Sequence, residues 1–136
     1  MLNGGPISWT SVLGKTIATS TCEAEVNAAV YAVKEAAHLK LMLVELGLMG
    51  RDQSIKIHED NAACIAQASH GLRQVRNAKH YEVKLRFLQQ RSVDGEVEFE
   101  YCPTDDQLAD FFTKPLDYVK FNGFRNRIMF EATPGD

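Results

Sequence analysis

Of the 136 residues only three are cysteines, Cys22, Cys64 and Cys102, an odd number with no C-x-x-C spacing. That usage argues against a disulfide framework and fits a reducing compartment. No stretch approaches the roughly 18 apolar residues that a membrane span needs. The opening Met1-Leu2-Asn3-Gly4-Gly5-Pro6 has no basic region leading into an apolar core, so it does not read as a signal peptide. A soluble, intracellular chain is expected. Strong positive charge is also lacking: the net charge is −3, which is not the overall signature of a nucleic-acid binder. Internal repeats and low-complexity tracts are absent. The first twenty residues contain no Asp or Glu, so any carboxylate chemistry has to come from further along.

What is present fits one ordinary globular domain, with 45% hydrophobic and 24% charged residues. Charge is unevenly spread. Between His70 and Arg91 stand Arg73, Arg76, Lys79, Lys84, Arg86 and Arg91 against the single acid Glu82. A local positive face of that kind can hold a phosphate backbone, and it can equally be a solvated surface. His58, Cys64, His70 and His80 lack zinc-finger spacing.

Periodicity predicts an α/β chain. Val26, Ala29, Val30, Val33, Ala37, Leu41 and Val44 recur at three- and four-residue spacing, which predicts a helix over 22–46. Ser20 and Glu23 form a capping box at its start, and Gly47 stops it. The β-branched run 54–59 reads as a strand, followed by a helix over 61–69. A second amphipathic helix is predicted over 78–91, Asp94-Gly95 as a turn, and 97–101 as a half-buried strand. The order strand, helix, helix, strand leaves room for a crossover, so the two strands are expected side by side. Thr104 and Gln107 suggest a further capping box, with Asp105 and Asp106 in the first turn of a helix. Residues 116–130 read as a final helix. Asn3-Gly4 is a hairpin turn signal before an alternating 7–11 strand, yet only two residues precede it.

Three acidic sites are separated along the chain. Glu25 lies in Ser20-Thr21-Cys22-Glu23-Ala24-Glu25 and borders the apolar stripe. Asp60 ends Ser54-Ile55-Lys56-Ile57-His58-Glu59-Asp60-Asn61, where it also suits the N-cap of the next helix. Asp106 lies in Asp105-Asp106-Gln107-Leu108-Ala109-Asp110, with Asp105 an equal candidate by composition and Asp110 a surface or supporting acid. Hard carboxylate oxygens at three such places suggest a site for divalent metal ions.

Ser20 to Glu25, Asp60-Asn61, Lys79-His80-Tyr81-Glu82 and Asp106 to Leu116, in this order, resemble the ribonuclease H domain that closes the pol polyprotein of copia-type retrotransposons. The resemblance runs from about Asn3 to Phe130, and its last motif is the most specific. Glu59 stands where the family often has Cys, Tyr81-Glu82 replaces Ile-Asp, and Asn77-Ala78 replaces Arg-Thr. The resemblance implies a ribonuclease H-like mixed sheet flanked by helices, here lacking its first two strands and the aspartate the first one carries. On it, residues 1–20 are a remnant hairpin strand and loop, 21–115 the core, and 116–136 a C-terminal helix and tail. It implies Glu25, Asp60 and Asp106 as catalytic metal ligands, Mg²⁺ or Mn²⁺ as cofactor, and Lys79, Lys84 and Arg86 along an RNA–DNA hybrid. It also implies an upstream reverse transcriptase domain as partner, no membrane, and the cytoplasm (within a virus-like particle) or the nucleus as location. With the first aspartate missing, the isolated chain is expected not to cleave. The alternative reading is a non-catalytic, degenerate or domesticated nucleic-acid-binding remnant of the same fold.

Overall fold

The computed structural model describes residues 5–11, 21–69 and 79–129. The chain divides into two compact units, Thr16–Pro103 on the one hand and Met1–Lys15 with Thr104–Asp136 on the other. The first unit holds α1 (Thr21–Glu45), β1 (Ile55–Glu59), α2 (Ala62–Ser69), α3 (Lys79–Val93) and β2 (Val97–Tyr101). The second holds the short α4 (Asp110–Thr113) and α5 (Tyr118–Ile128).

In the first unit the expected strands are neighbours and run parallel, Ile55 facing Val97, Ile57 facing Phe99 and Glu59 facing Tyr101. Two backbone bonds extend the ladder at its ends, Ile55 N–H to the Glu96 carbonyl and Cys102 N–H to that of Glu59. Side chains alternate across a strand, so Ile55, Ile57 and Glu59 share one face. The other face is polar: Lys56 pairs with Glu100 on the neighbouring strand, and His58 Nδ1 lies 3.9 Å from the same carboxylate.

The core is built where the apolar stripes meet. Val26, Ala29, Val30 and Val33 of α1, Cys64 and Ala68 of α2, Leu85 and Leu88 of α3, and Val97 and Phe99 of β2 form one buried cluster. The stripe on α1 outruns it, and Leu41 is 59% exposed. A 25-residue helix is roughly 37 Å long, whereas five-residue strands reach about 17 Å.

Helix ends follow from two glycines. Gly47 and Gly95 both have φ near +70°, a region that costs other residues energy. Each sits just past a helix in a Schellman motif. Gly47 and Leu48 donate to the carbonyls of Val44 and Leu43, and Gly95 and Glu96 donate to those of Ser92 and Arg91. The second motif turns α3 directly into β2, with Arg91 and Glu96 ion-paired across it at 2.6 Å. At the start of α2, Asn61 Oδ1 accepts from the N–H groups of Ala63 and Cys64 at 3.0 and 3.2 Å. The N-cap is therefore Asn61 and not Asp60.

Two expectations are corrected in the second unit. No helix starts at Thr104: residues 104–109 form turns, and α4 begins at Asp110 with Ala109 as an N-cap that makes no side-chain bond. The acids that would have lined that first turn are drawn to α5 instead, Asp105 to Lys120 at 3.0 Å and Asp106 to Arg127 at 3.1 Å. Residues 7–11 are not a strand either. Only Gly5 forms an isolated bridge among the described residues 5–11, and a strand exists only where it has a ladder to join. The Asn3-Gly4 turn lies outside the described residues.

Candidate metal centre

Glu25 projects from the second turn of α1. Glu59 is the last residue of β1, and Asp60 follows it before α2 begins. One carboxylate oxygen from each of Glu25, Glu59 and Asp60 lies within 4.8 Å of the others. Two of the expected ligands are therefore brought together, from segments about 35 residues apart. The third member of the cluster is a residue that sequence reasoning passed over. Its signal was present: Glu59 stands two and four residues after Ile57 and Ile55, so strand alternation places all three on the inward face.

Glu59 is only 6% exposed. Burial pushes its carboxyl up to about 7, and the charges of Glu25 and Asp60 add to the effect. Backbone hydrogen bonds from Asn61 and Asp60 oppose the rise; the Asn61 N–H donates at 3.0 Å. Below the cluster sits Cys64, fully buried. Burial first, then the neighbouring carboxylates and Cys22, raise its thiol to about 12. Cys64 is thus a neutral thiol rather than a soft thiolate ligand.

This donor set suits a hard divalent cation. Three carboxylates converge, half-buried or buried, at the carboxyl end of a strand, and bringing them together is unfavourable unless protons or cations balance the charge. Glu25, Glu59 and Asp60 are the residues that would hold Mg²⁺ or Mn²⁺. Among the described residues no histidine joins the cluster: His58 faces Glu100 on the outer side of the sheet and His80 is exposed on α3; His70 lies outside the described residues.

Asp106 belongs to the other unit, where it is exposed and paired with Arg127. Asp110, expected as a surface or supporting acid, is buried there and paired with Lys114 at 2.9 Å. Of the basic residues, Lys79 opens α3. Lys84 Nζ donates to Asn27 Oδ1 of α1 at 2.8 Å, so it ties two helices together. Arg86 is exposed and pairs with Glu82 one turn earlier. Arg73 and Arg76 lie outside the described residues.

The chain is 33% identical over 119 residues to the retrovirus-related Pol polyprotein from transposon TNT 1-94 of Nicotiana tabacum, a match covering 88% of the chain and 9% of that protein. It is 30% and 29% identical over 129 residues to the Pol polyproteins from transposons RE2 and RE1 of Arabidopsis thaliana, covering 95% of the chain and 9% of each. No protein-family profile and no solved structure matches it. The chain spans about 9% of the length of the curated relatives it matches. Over most of its length, then, this chain is homologous to a short segment of copia-type retrotransposon Pol polyproteins.

Proposed function

We propose that this chain is the ribonuclease H segment of a copia-type retrotransposon Pol polyprotein, acting on the RNA of RNA–DNA hybrids with Mg²⁺ or Mn²⁺ as cofactor. The convergence of Glu25, Glu59 and Asp60 at the end of β1 carries this reading; relatives that are Pol polyproteins support its context. When bound, divalent ions supply Lewis-acid charge beside a scissile phosphate. The chain's own residues do the rest. Glu25, Glu59 and Asp60 fix the ions against the open end of the sheet. Lys79, Lys84 and Arg86 of α3 would offer charge to the hybrid backbone, reading shape rather than sequence. Asp106 enters the proposal through the resemblance alone, and its ligation would require the Arg127 pair to yield.

The test is Mn²⁺ titration of the full chain, read by the electron paramagnetic resonance of the free ion, alongside cleavage of a labelled hybrid. Saturable binding is expected, weakened at least tenfold in Glu25→Gln and Asp60→Asn, while the chain by itself is expected not to cleave the hybrid. The same titration on Asp106→Asn decides that residue. Binding that ignores Glu25 and Asp60 would overturn the proposal.

A further inference from the structure

A polar ring lies one helical turn from the carboxylates, at the junction of α1, α2 and α3. Tyr81 Oη donates to Gln67 Oε1 at 2.5 Å. Gln67 Nε2 donates to Cys22 Sγ at 3.3 Å. Cys22 Sγ and Tyr81 Oη are 3.6 Å apart. The Tyr81 proton is already given to Gln67, so the thiol proton of Cys22 closes the circuit on Tyr81 Oη. Each group then gives one hydrogen bond and accepts one, and such closed chains strengthen one another where water is scarce. α3 also holds Gln67 by its backbone, through Gln89 Nε2 to the Gln67 carbonyl at 2.8 Å. Gln89 is itself buried.

The ring's position relative to the carboxylates is what gives it meaning. Residues three apart on a helix share a face. On α1, Cys22 stands three residues before Glu25. On α2, Gln67 stands three residues after Cys64, whose N–H donates to Asn61 Oδ1, and the Asn61 N–H donates in turn to Glu59 Oε1. Both helices thus carry the ring on one rung and the carboxylate layer on the next. α1 reaches the carboxylate layer through its N-terminal turns, and that end of a helix frays unless tied down.

Resting on the metal-site reading above, we infer that the Cys22–Gln67–Tyr81 ring is a positioning device: it locks the first turns of α1 against α2 and α3, and so holds Glu25 at ligand distance from Glu59 and Asp60. Tyr81, Gln67 and Cys22 touch neither ion nor substrate in this role. Their contribution is to the order of Glu25, which otherwise moves away from two like charges.

Paired substitutions in the full chain provide the test. Cys22→Ala and Tyr81→Phe each open the ring, whereas Cys22→Ser keeps a group that both donates and accepts. The first readout needs no cation: the side-chain carboxyl carbon resonance of Glu25 and its proton contacts to Asp60, by nuclear magnetic resonance. They are expected to shift and weaken in Cys22→Ala and Tyr81→Phe and to be restored in Cys22→Ser. The second is Mn²⁺ affinity, expected about tenfold weaker in the two ring-opening variants and near wild type in Cys22→Ser, with no further loss when Glu25 is already Gln. If the wild type binds no Mn²⁺ at all, the metal-site reading fails while the Glu25 resonance still judges the ring. A Glu25 signal untouched by both ring-opening variants, or an equal loss in Cys22→Ser and Cys22→Ala, would overturn the inference.

Discussion

At the scale of single residues, Glu59 is where composition and environment disagree most. A glutamate ending a β-branched run looks solvent-facing until alternation is counted, and the resemblance directs attention to Asp60 beside it. The structure puts Glu59 inward and makes it the best-buried acid of the cluster. A pH signature follows. Its carboxyl titrates near 7 when folded against an ordinary value of 4.5, so between those pH values the folded state binds more protons than the unfolded one. Stability contributed by the protonated form is complete below about 4.5 and is lost as pH rises through about 7. In chelator, urea midpoints should therefore fall as pH rises across that window, with a limiting slope of roughly 1.4 kcal/mol per pH unit. Glu59→Gln keeps the acceptor for Asn61 N–H and removes the charge. Its midpoint should be nearly flat over the window and above wild type at a pH of about 8, past the window's upper end. A wild-type slope that persists in Glu59→Gln would assign the effect elsewhere.

At the scale of elements, local chemistry was legible where it was self-contained. The two strands, the three long helices of the first unit and the Gly47 and Gly95 stops could be read because periodicity and C-capping act within a few residues. The Thr104 helix failed for the opposite reason: its supposed first-turn acids are claimed by Lys120 and Arg127, 15 and 21 residues away, and no local rule weighs such partners. The N-cap of α2 is Asn61, which removes the capping role that competed with ligation at Asp60. Two predictions belong here. Gly95→Ala, strained at φ 69° with nothing within 4 Å to blame on packing, should cost roughly 1–2 kcal/mol in denaturant melts. On α3, Arg86→Glu should lower the log–log salt slope of hybrid binding by about one, as expected for one lost phosphate contact. Lys84→Glu should in addition lower the melting temperature, because it severs the bond to Asn27. An unchanged salt slope in Arg86→Glu would return that face to solvent.

For the whole molecule, the balance of forces is set by a modest core beneath a two-stranded sheet. β1 and β2 pair only with each other among the described residues, and small sheets contribute little by themselves. The carboxylate cluster joins α1 to the end of β1, so without a cation it places repulsion at the seam between two of the principal elements. A domain whose net stability is ordinarily about 5–15 kcal/mol is sensitive to such a contribution. A ligand that binds only the folded state stabilises it by RT ln(1 + [L]/Kd), about 2.7 kcal/mol at a hundredfold excess over Kd. Melting temperature should accordingly climb with the logarithm of Mn²⁺ or Mg²⁺ concentration and return to its starting value on chelation. Glu25→Gln and Asp60→Asn should start at or above the wild-type melting temperature without metal, because each removes one repelling charge, and then fail to respond to the ion. That crossing of the two series separates a cation site from general ionic strength, which would shift all three proteins alike. Parallel responses in wild type and both variants would mean that the carboxylates converge without holding an ion.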